Sequence, residues 1–359
     1  VKRRPAPSLA FQDDRDLMTP GPLRDKLLSQ MHRQGAKDVR LNAIYGQVRK
    51  GGAYDFAALD DAVNAVRARG LHPQMTLMAT PKYAPTLDQG LSWQNQKAGA
   101  WQQYAQAVAQ HFKGRVGRYS IGNEPNLDSF QAGAQEDPKA AGRAYRGIYR
   151  AGYAGVKGAD KSAQVLLGEM TSGGGGNVLP FLKSVMAGKP LKAAGFAYHP
   201  YVGGGGWDTR NLGDLQDTLA RYKRMGKLQT AQGQQTPLYL TEFGFQRKDA
   251  TPQERLRQLG IAYAQARQAG ARQFLQYGLT PRAAPVTSTA PQVDGYGNVT
   301  APASSKPGWV WDTGIADAAG NIPVINRGVK LAAPQAQAAR ARTARTARTA
   351  RTATVRRRH

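Results

Sequence analysis

Eight short apolar runs with strand character alternate along the chain with helix-like segments, and that alternation constrains the fold more than any other feature. The runs are Ser8 to Gln12, Asp38 to Tyr45, Gln74 to Thr80, Arg118 to Glu124, Gln164 to Met170, Gly195 to Tyr201, Leu238 to Phe245 and Arg272 to Leu279. Strands that take turns with helices predict a parallel sheet with crossover helices. The intervening segments carry apolar residues at helical spacing, with Phe56, Leu59, Val63 and Val66 as one stripe and Trp101, Tyr104, Val108 and Phe112 as another. Gly35, Gly70 and Gly114 each follow a segment with Arg, Lys or His in its last turn, the signature of a helix C-terminus. Pro252 stands where a first helical turn tolerates proline. Eight such units in 359 residues predict a single-domain α/β fold, a (β/α)8 barrel with long βα loops. A doubly wound open sheet is the runner-up, but Gln12-Asp13-Asp14-Arg15 after the first strand lacks the Gly-rich dinucleotide fingerprint. Residues 1–7 read as an extension, 8–333 as the barrel and 334–359 as a tail. A Pro/Ser/Thr/Gly-rich insertion, Pro281 to Pro307, interrupts the pattern before a last apolar segment near Ile322 to Ala333.

The charge balance is uneven. Fifty Lys and Arg stand against 24 Asp and Glu, for a net charge of +26, and no acidic residue follows Asp317. Four Arg-Thr-Ala repeats from Arg342 to Ala353, closing on Arg-Arg-Arg-His, form a like-charged block without apolar periodicity. Such a block reads as a disordered basic tail that adheres to anionic surfaces without specificity. The absence of cysteine excludes disulfides, thiolate metal sites and cysteine nucleophiles. No apolar run approaches the roughly 20 residues of a spanning helix, so a soluble protein is expected. Val1-Lys-Arg-Arg-Pro has no apolar signal core, and a start at Val fits a processed chain or an alternative start codon.

Within this frame the stretch Leu238 to Phe245, LYLTEFGF, sets one carboxylate, Glu242, in an apolar run, where an unpaired charge would cost several kcal/mol or be neutralised by a raised pKa. The run Arg118 to Asn126, RYSIGNEPN, carries Glu124 at its end. In a (β/α)8 barrel the C-terminal strand ends form the functional rim. Here they present Asp13 and Asp14, Arg40 and Asn42, Asn123 and Glu124, His199 and Tyr201, Glu242, and Gln276 and Tyr277. Two carboxylates on opposed strands suit acetal hydrolysis, in which one donates a proton to the leaving group and the other stabilises or attacks the oxocarbenium carbon. Each residue also has a plainer reading. Asn123-Glu124-Pro125 could shape a turn, Glu242 could sit in a structural ion pair with Arg40, and His199 could be a satisfied core histidine.

Taken together, Ile121-Gly122-Asn123-Glu124-Pro125 at a fourth strand and Thr241-Glu242-Phe243-Gly244 at a seventh resemble the clan of retaining glycoside hydrolases with catalytic glutamates on barrel strands four and seven. The cellulase-like family five and the xylosidase- and iduronidase-like family thirty-nine belong to this clan. The resemblance implies that Glu124 is the acid/base, Glu242 the nucleophile and Asn123 a donor to the sugar 2-hydroxyl. It extends to Arg40 and to His199-Pro200-Tyr201 as supports of the nucleophile and the sugar, and to a closing hairpin from Trp311 to Asn321. It departs at Met78-Ala79-Thr80, where family five usually has a His, and at Gln276-Tyr277, where a Trp is common. No cofactor is implied, and the five histidines lack a His-Glu-x-x-His metal spacing. Trp93, Trp207, Trp309 and Trp311 fall in loops where flat rings could stack on sugars, with Trp207 the foremost, while Trp101 belongs to a core stripe. The tetraglycine runs Gly173 to Gly176 and Gly203 to Gly206 lack a following Lys-Ser/Thr and read as rim loops. The expected protein is a monomeric, extracellular enzyme acting on an oligosaccharide or polysaccharide, with its carboxyl groups about 5 to 5.5 Å apart. The alternatives are a non-catalytic carbohydrate-binding barrel and a nucleic-acid or anionic-polymer binder working through the basic tail.

Overall fold

The computed structural model describes residues 4–325 apart from 83, 85, 96, 204–205, 232–234, 282–291, 294–298, 302–311 and 318. Eight parallel strands close into a barrel: β1 (Ser8–Gln12), β2 (Asp38–Ile44), β3 (His72–Met78), β4 (Arg118–Ile121), β5 (Gln164–Thr171), β6 (Gly195–His199), β7 (Leu238–Leu240) and β8 (Gln273–Tyr277). Each stave pairs with the next in chain order, and β1 closes the ring by pairing with both β2 and β8. All eight strand-like runs of the sequence become staves, and the expected (β/α)8 architecture is the observed one.

The first seven staves are each followed by a helix: α1 (Pro22–Arg33), α2 (Ala57–Ala68), α3 (Ala98–His111), α4 (Pro138–Ala159), α5 (Val178–Val185), α6 (Leu212–Arg224) and α7 (Pro252–Ala269). The predicted stripes face inward, with Leu59, Val63 and Val66 of α2 and Trp101, Tyr104 and Val108 of α3 all buried. Helix ends follow local chemistry. Asp137 caps α4 by accepting from the backbone N–H groups of Lys139 and Ala140, and Thr251 caps α7 by accepting from that of Glu254, with Pro252 in the first turn as predicted. Gly35, Gly70 and Gly114 take φ of 78°, 70° and 75°, the left-handed conformation that ends a helix. Most of the last apolar segment, Trp309, Trp311 and the Arg-Thr-Ala tail lie outside the described residues. None of the described helices is long and apolar enough to cross a membrane.

Alternation along the staves separates two environments. Leu238 and Leu240 of β7 join the main apolar core, whereas Tyr239 joins a small separate cluster with Leu166 and Ala197. Near the N-terminal end of the barrel Gln273 donates to Asp38, Gln74 bonds Gln273, and Arg118 reaches both Gln74 and Asp38. This polar layer is satisfied internally. At the opposite end the polar groups converge differently.

Candidate active site

The catalytic candidates stand just beyond the staves. β4 ends at Ile121 and β7 at Leu240, so Glu124 and Glu242 sit on the turns that leave the barrel, where the ladder no longer dictates side-chain direction. The sequence reading ran both strands through these carboxylates; the structure shortens them. For β4 the cause is local, because Gly122 takes φ of 80° and Glu124 takes φ of 40°. A non-glycine residue in the left-handed region costs on the order of 1 to 3 kcal/mol, which the surrounding packing must offset.

Arg40, 1% exposed, is the hub. Its guanidinium donates to Glu242 Oε2 at 3.0 Å, Glu169 Oε2 at 3.2 Å, Asn123 Oδ1 at 2.6 Å, Thr76 Oγ1 at 2.7 Å and Gln12 Oε1. Tyr201 donates its hydroxyl to the other oxygen of Glu242 at 2.8 Å, and its ring stacks on Phe243 with centroids 6.0 Å apart. Glu242 therefore has both carboxyl oxygens fixed by donors. His199 sets Nδ1 3.0 Å from Glu124 Oε1 and 3.7 Å from Glu242 Oε2. Glu124, His199 and Glu242 bring one atom each within 4.8 Å of one another, so an oxygen of each carboxylate lies inside that distance. Such atoms could also surround a cation, but His199 already spends both ring nitrogens on carboxylates.

The electrostatics follow from burial and neighbours. Burial and the charge of Glu124 push the Glu242 carboxyl above its ordinary value, and His199 and Arg40 pull it back. Burial alone would lower His199, but Glu242, Glu124 and Glu169 raise it to about 9. Burial would raise Glu169, yet Arg40 and His199 hold it down at about 2. These shifts have opposite consequences for folding. Glu169, depressed, adds stability that is present above its unfolded value near 4.5 and is lost as pH falls through about 2. His199, raised, adds stability that is present below its ordinary 6.5 and is lost as pH rises through about 9. The urea midpoint is accordingly expected to plateau between about pH 4.5 and 6.5 and to fall on both sides. A midpoint that climbs from pH 7 to about pH 10 would contradict the His199 assignment.

Glu169 was missed by the sequence reading, which treated Gln164 to Met170 as a plain core strand. It is 0% exposed and lies at a bulge of β5, where the register with β6 shifts between Gly168 and Met170. Gly168 takes φ of 126°, and a side chain there would place its Cβ 2.2 Å from the carbonyl oxygen of Ala197. Only glycine permits this close approach, and the extra residue it creates aims Glu169 at the site. The signal was available: Leu167-Gly168-Glu169-Met170 sets one carboxylate in an apolar run as LYLTEFGF does.

Other expectations divide. Tyr277 reaches Asp14 Oδ2 at 3.3 Å, and Asn42 and Gln12 donate to Asp14 Oδ1, so these groups share the rim. Asp13 and Gln276 do not present themselves to a ligand. Asp13 accepts from the backbone of Arg15, Asp16 and Leu279, and Gln276 donates to the carbonyls of Gly278 and Thr313. Trp207 corrects the sequence reading. It is 6% exposed, its ring meets Tyr198 edge-on at 6.2 Å, and its backbone N–H donates to the Tyr198 hydroxyl, so it packs into the core rather than offering a platform. Trp93 is likewise packed, against Trp101 and Tyr145. A cavity of about 220 Å³ opens beside Tyr201, which bonds Glu242, and is lined also by Gly173, Gly174, Gly203, Gly244 and Phe245. A larger one of about 710 Å³ opens at the other end of the barrel, beside Ser8, Lys37 and Arg272, and holds none of the converging residues.

Comparison with solved structures now places this architecture. A family 39 glycoside hydrolase from the gut symbiont Bacteroides cellulosilyticus WH2 superposes with a TM-score of 0.60 at 14% identity over 91% of this chain, which spans 64% of that protein. A GH5_18 protein from Bifidobacterium longum subsp. longum gives a TM-score of 0.60 at 12% identity, covering 92% of this chain and 79% of that one. The exo-β-1,4-mannosidase of Opitutaceae bacterium strain TAV5 gives 0.59 at 16% identity, covering 94% and 60%. The chain has the barrel fold of these glycoside hydrolases. Sequence comparison with protein families and with curated proteins finds no match.

Proposed function

We propose that the protein is a retaining glycoside hydrolase in which Glu242 is the nucleophile and Glu124 the acid/base. The observation that carries this reading is the pair itself: two carboxylates on the turns after β4 and β7, with an oxygen of each within 4.8 Å of the other. A nearest approach inside 4.8 Å accords with the about 5 to 5.5 Å between the carboxyl groups of a retaining enzyme and suits attack by one of them on the sugar. In the first step Glu124 protonates the glycosidic oxygen as Glu242 Oε1 or Oε2 bonds to the anomeric carbon and the leaving group departs. In the second, Glu124 takes a proton from water, whose oxygen displaces Glu242.

The neighbours fit these roles. Arg40 and Tyr201 hold the Glu242 oxygens, orienting the carboxylate and favouring its ionised form against burial. Asn123 accepts from Arg40 through Oδ1, which leaves its amide N–H groups to donate to a sugar hydroxyl. Tyr277 and Asp14 at the rim and the cavity beside Tyr201 and Phe245 offer polar and apolar surfaces of the kind a pyranose presents. A polymeric substrate would place the enzyme outside the cell. A panel of nitrophenyl glycosides tests the assignment: hydrolysis of at least one, lost in Glu124→Ala and in Glu242→Ala, is expected. Saccharide binding without turnover across the panel would replace the enzyme with a carbohydrate-binding barrel.

A further inference from the structure

A third carboxylate lies behind the pair, and the double displacement assigns it no step. Glu169 is fully buried on the β5 bulge, and three donors converge on its Oε2: His199 Nε2 at 2.6 Å, Thr241 Oγ1 at 2.9 Å and Arg40 at 3.2 Å. The backbone adds a direct link, because Glu124 donates its N–H to the Glu169 carbonyl at 2.8 Å. His199 therefore stands between two carboxylates, with Nε2 on Glu169 and Nδ1 on Glu124 Oε1. A neutral imidazole carries one N–H. With a single proton on the ring, one of these contacts would oppose two lone pairs unless Glu124 itself supplied the hydrogen.

We propose that Glu169 is a positioning residue that pins a proton on His199 Nε2 and holds the ring as an imidazolium, so that Nδ1–H permanently occupies Glu124 Oε1 and leaves Oε2 as the oxygen that carries the catalytic proton. This rests on the assignment of Glu124 as acid/base. The proton inventory is simple. His199 keeps both its protons throughout; Glu124 loses its Oε2 proton to the leaving oxygen and regains one from water, and Nδ1–H bonds Oε1 in either state. The same positive ring lies 3.7 Å from Glu242 Oε2, where it favours the ionised nucleophile.

The charged and titratable groups that face His199 are Glu124 after β4, Glu169 on β5 and Glu242 after β7, with Arg40 of β2 bonded to the last two and Tyr201 bonded to Glu242. Thr241 and Arg40 keep their contacts to a neutral amide oxygen in Glu169→Gln, which removes the charge while preserving shape. Burial already works against a charged His199, and its raised value near 9 depends on carboxylates of which Glu169 is one.

The test is nitrogen NMR of His199 across pH, in the wild type and in Glu169→Gln. The wild type is expected to show both ring nitrogens protonated at pH 7, and the variant to lose the Nδ1 proton at least about one pH unit lower, a tenfold weaker hold. The alkaline limb of kcat/KM should move by a similar amount, with KM nearly unchanged. A wild-type ring carrying a single proton at pH 7, on Nδ1 or on Nε2 with Glu124 supplying the other hydrogen, would overturn the proposal, whether or not the variant folds, and so would an unmoved titration in a folded variant. The ring measurement needs no turnover, so absence of glycosidase activity would sink the acid/base assignment while leaving the Glu169–His199 contact separately tested.

Discussion

Glu242→Ala is expected to lower kcat by roughly 10⁴- to 10⁶-fold, the range seen when a member of a covalent catalytic unit is removed. The size follows from what the side chain does: it supplies the bond to the anomeric carbon, and nothing else within reach can replace it. Phe243, the next residue, is a buried apolar ring, and Arg40 and Tyr201 are donors rather than nucleophiles. The truncated side chain opens space beside Arg40, so a small anion such as azide or formate should partly restore turnover and release the inverted glycosyl product. Azide would attack from the nucleophile's side with Glu124 still able to protonate the leaving group. Unimpaired hydrolysis in this variant would remove Glu242 from the mechanism.

Arg40→Met carries the largest expected effect on folding. The guanidinium is 1% exposed and pairs with Glu169 and Glu242, which are 0% and 9% exposed. Removing one partner of a buried ion pair costs about 3 to 5 kcal/mol, because the charge left behind has neither water nor a counterion. Here two carboxylates are orphaned at once, and Gln12, Thr76 and Asn123 lose their donor as well. His199 limits the loss, since it faces both carboxylates. Chemical denaturation at neutral pH should show the deficit, and it should shrink as the pH is lowered and the carboxylates take up protons. Stability within about 1 kcal/mol of the wild type would mean that the pairs contribute no more than exposed ones do.

The barrel was legible because each stave is an apolar run bounded by a helix with its own start and stop chemistry. Pro252 and the glycines at 35, 70 and 114 mark helix ends by backbone conformation, which a sequence states directly. The pair was legible for a related reason: a lone carboxylate in an apolar run must be paired or useful, and Glu242 is held by Arg40 on a distant stave as that logic requires. Where the reading fell short, the deciding fact was three-dimensional. Strand ends were drawn too long because hydrophobicity continues through Phe243 after the ladder has stopped at Leu240. Trp207 follows a glycine run that resembles an exposed loop, but its ring turns inward onto Tyr198. Glu169 was hidden by a bulge, which inserts one residue and so defeats the alternation by which inward side chains are recognised.

The most direct test of the central claim is the stereochemistry of the first product. Proton NMR that follows the anomeric signal during early hydrolysis of a cleavable aryl glycoside, before mutarotation scrambles it, distinguishes the two mechanisms. Glu124 and Glu242, with oxygens within 4.8 Å of each other, predict that the sugar is released with the anomeric configuration of the substrate. A first product of inverted configuration would contradict the assignment of Glu242 as nucleophile.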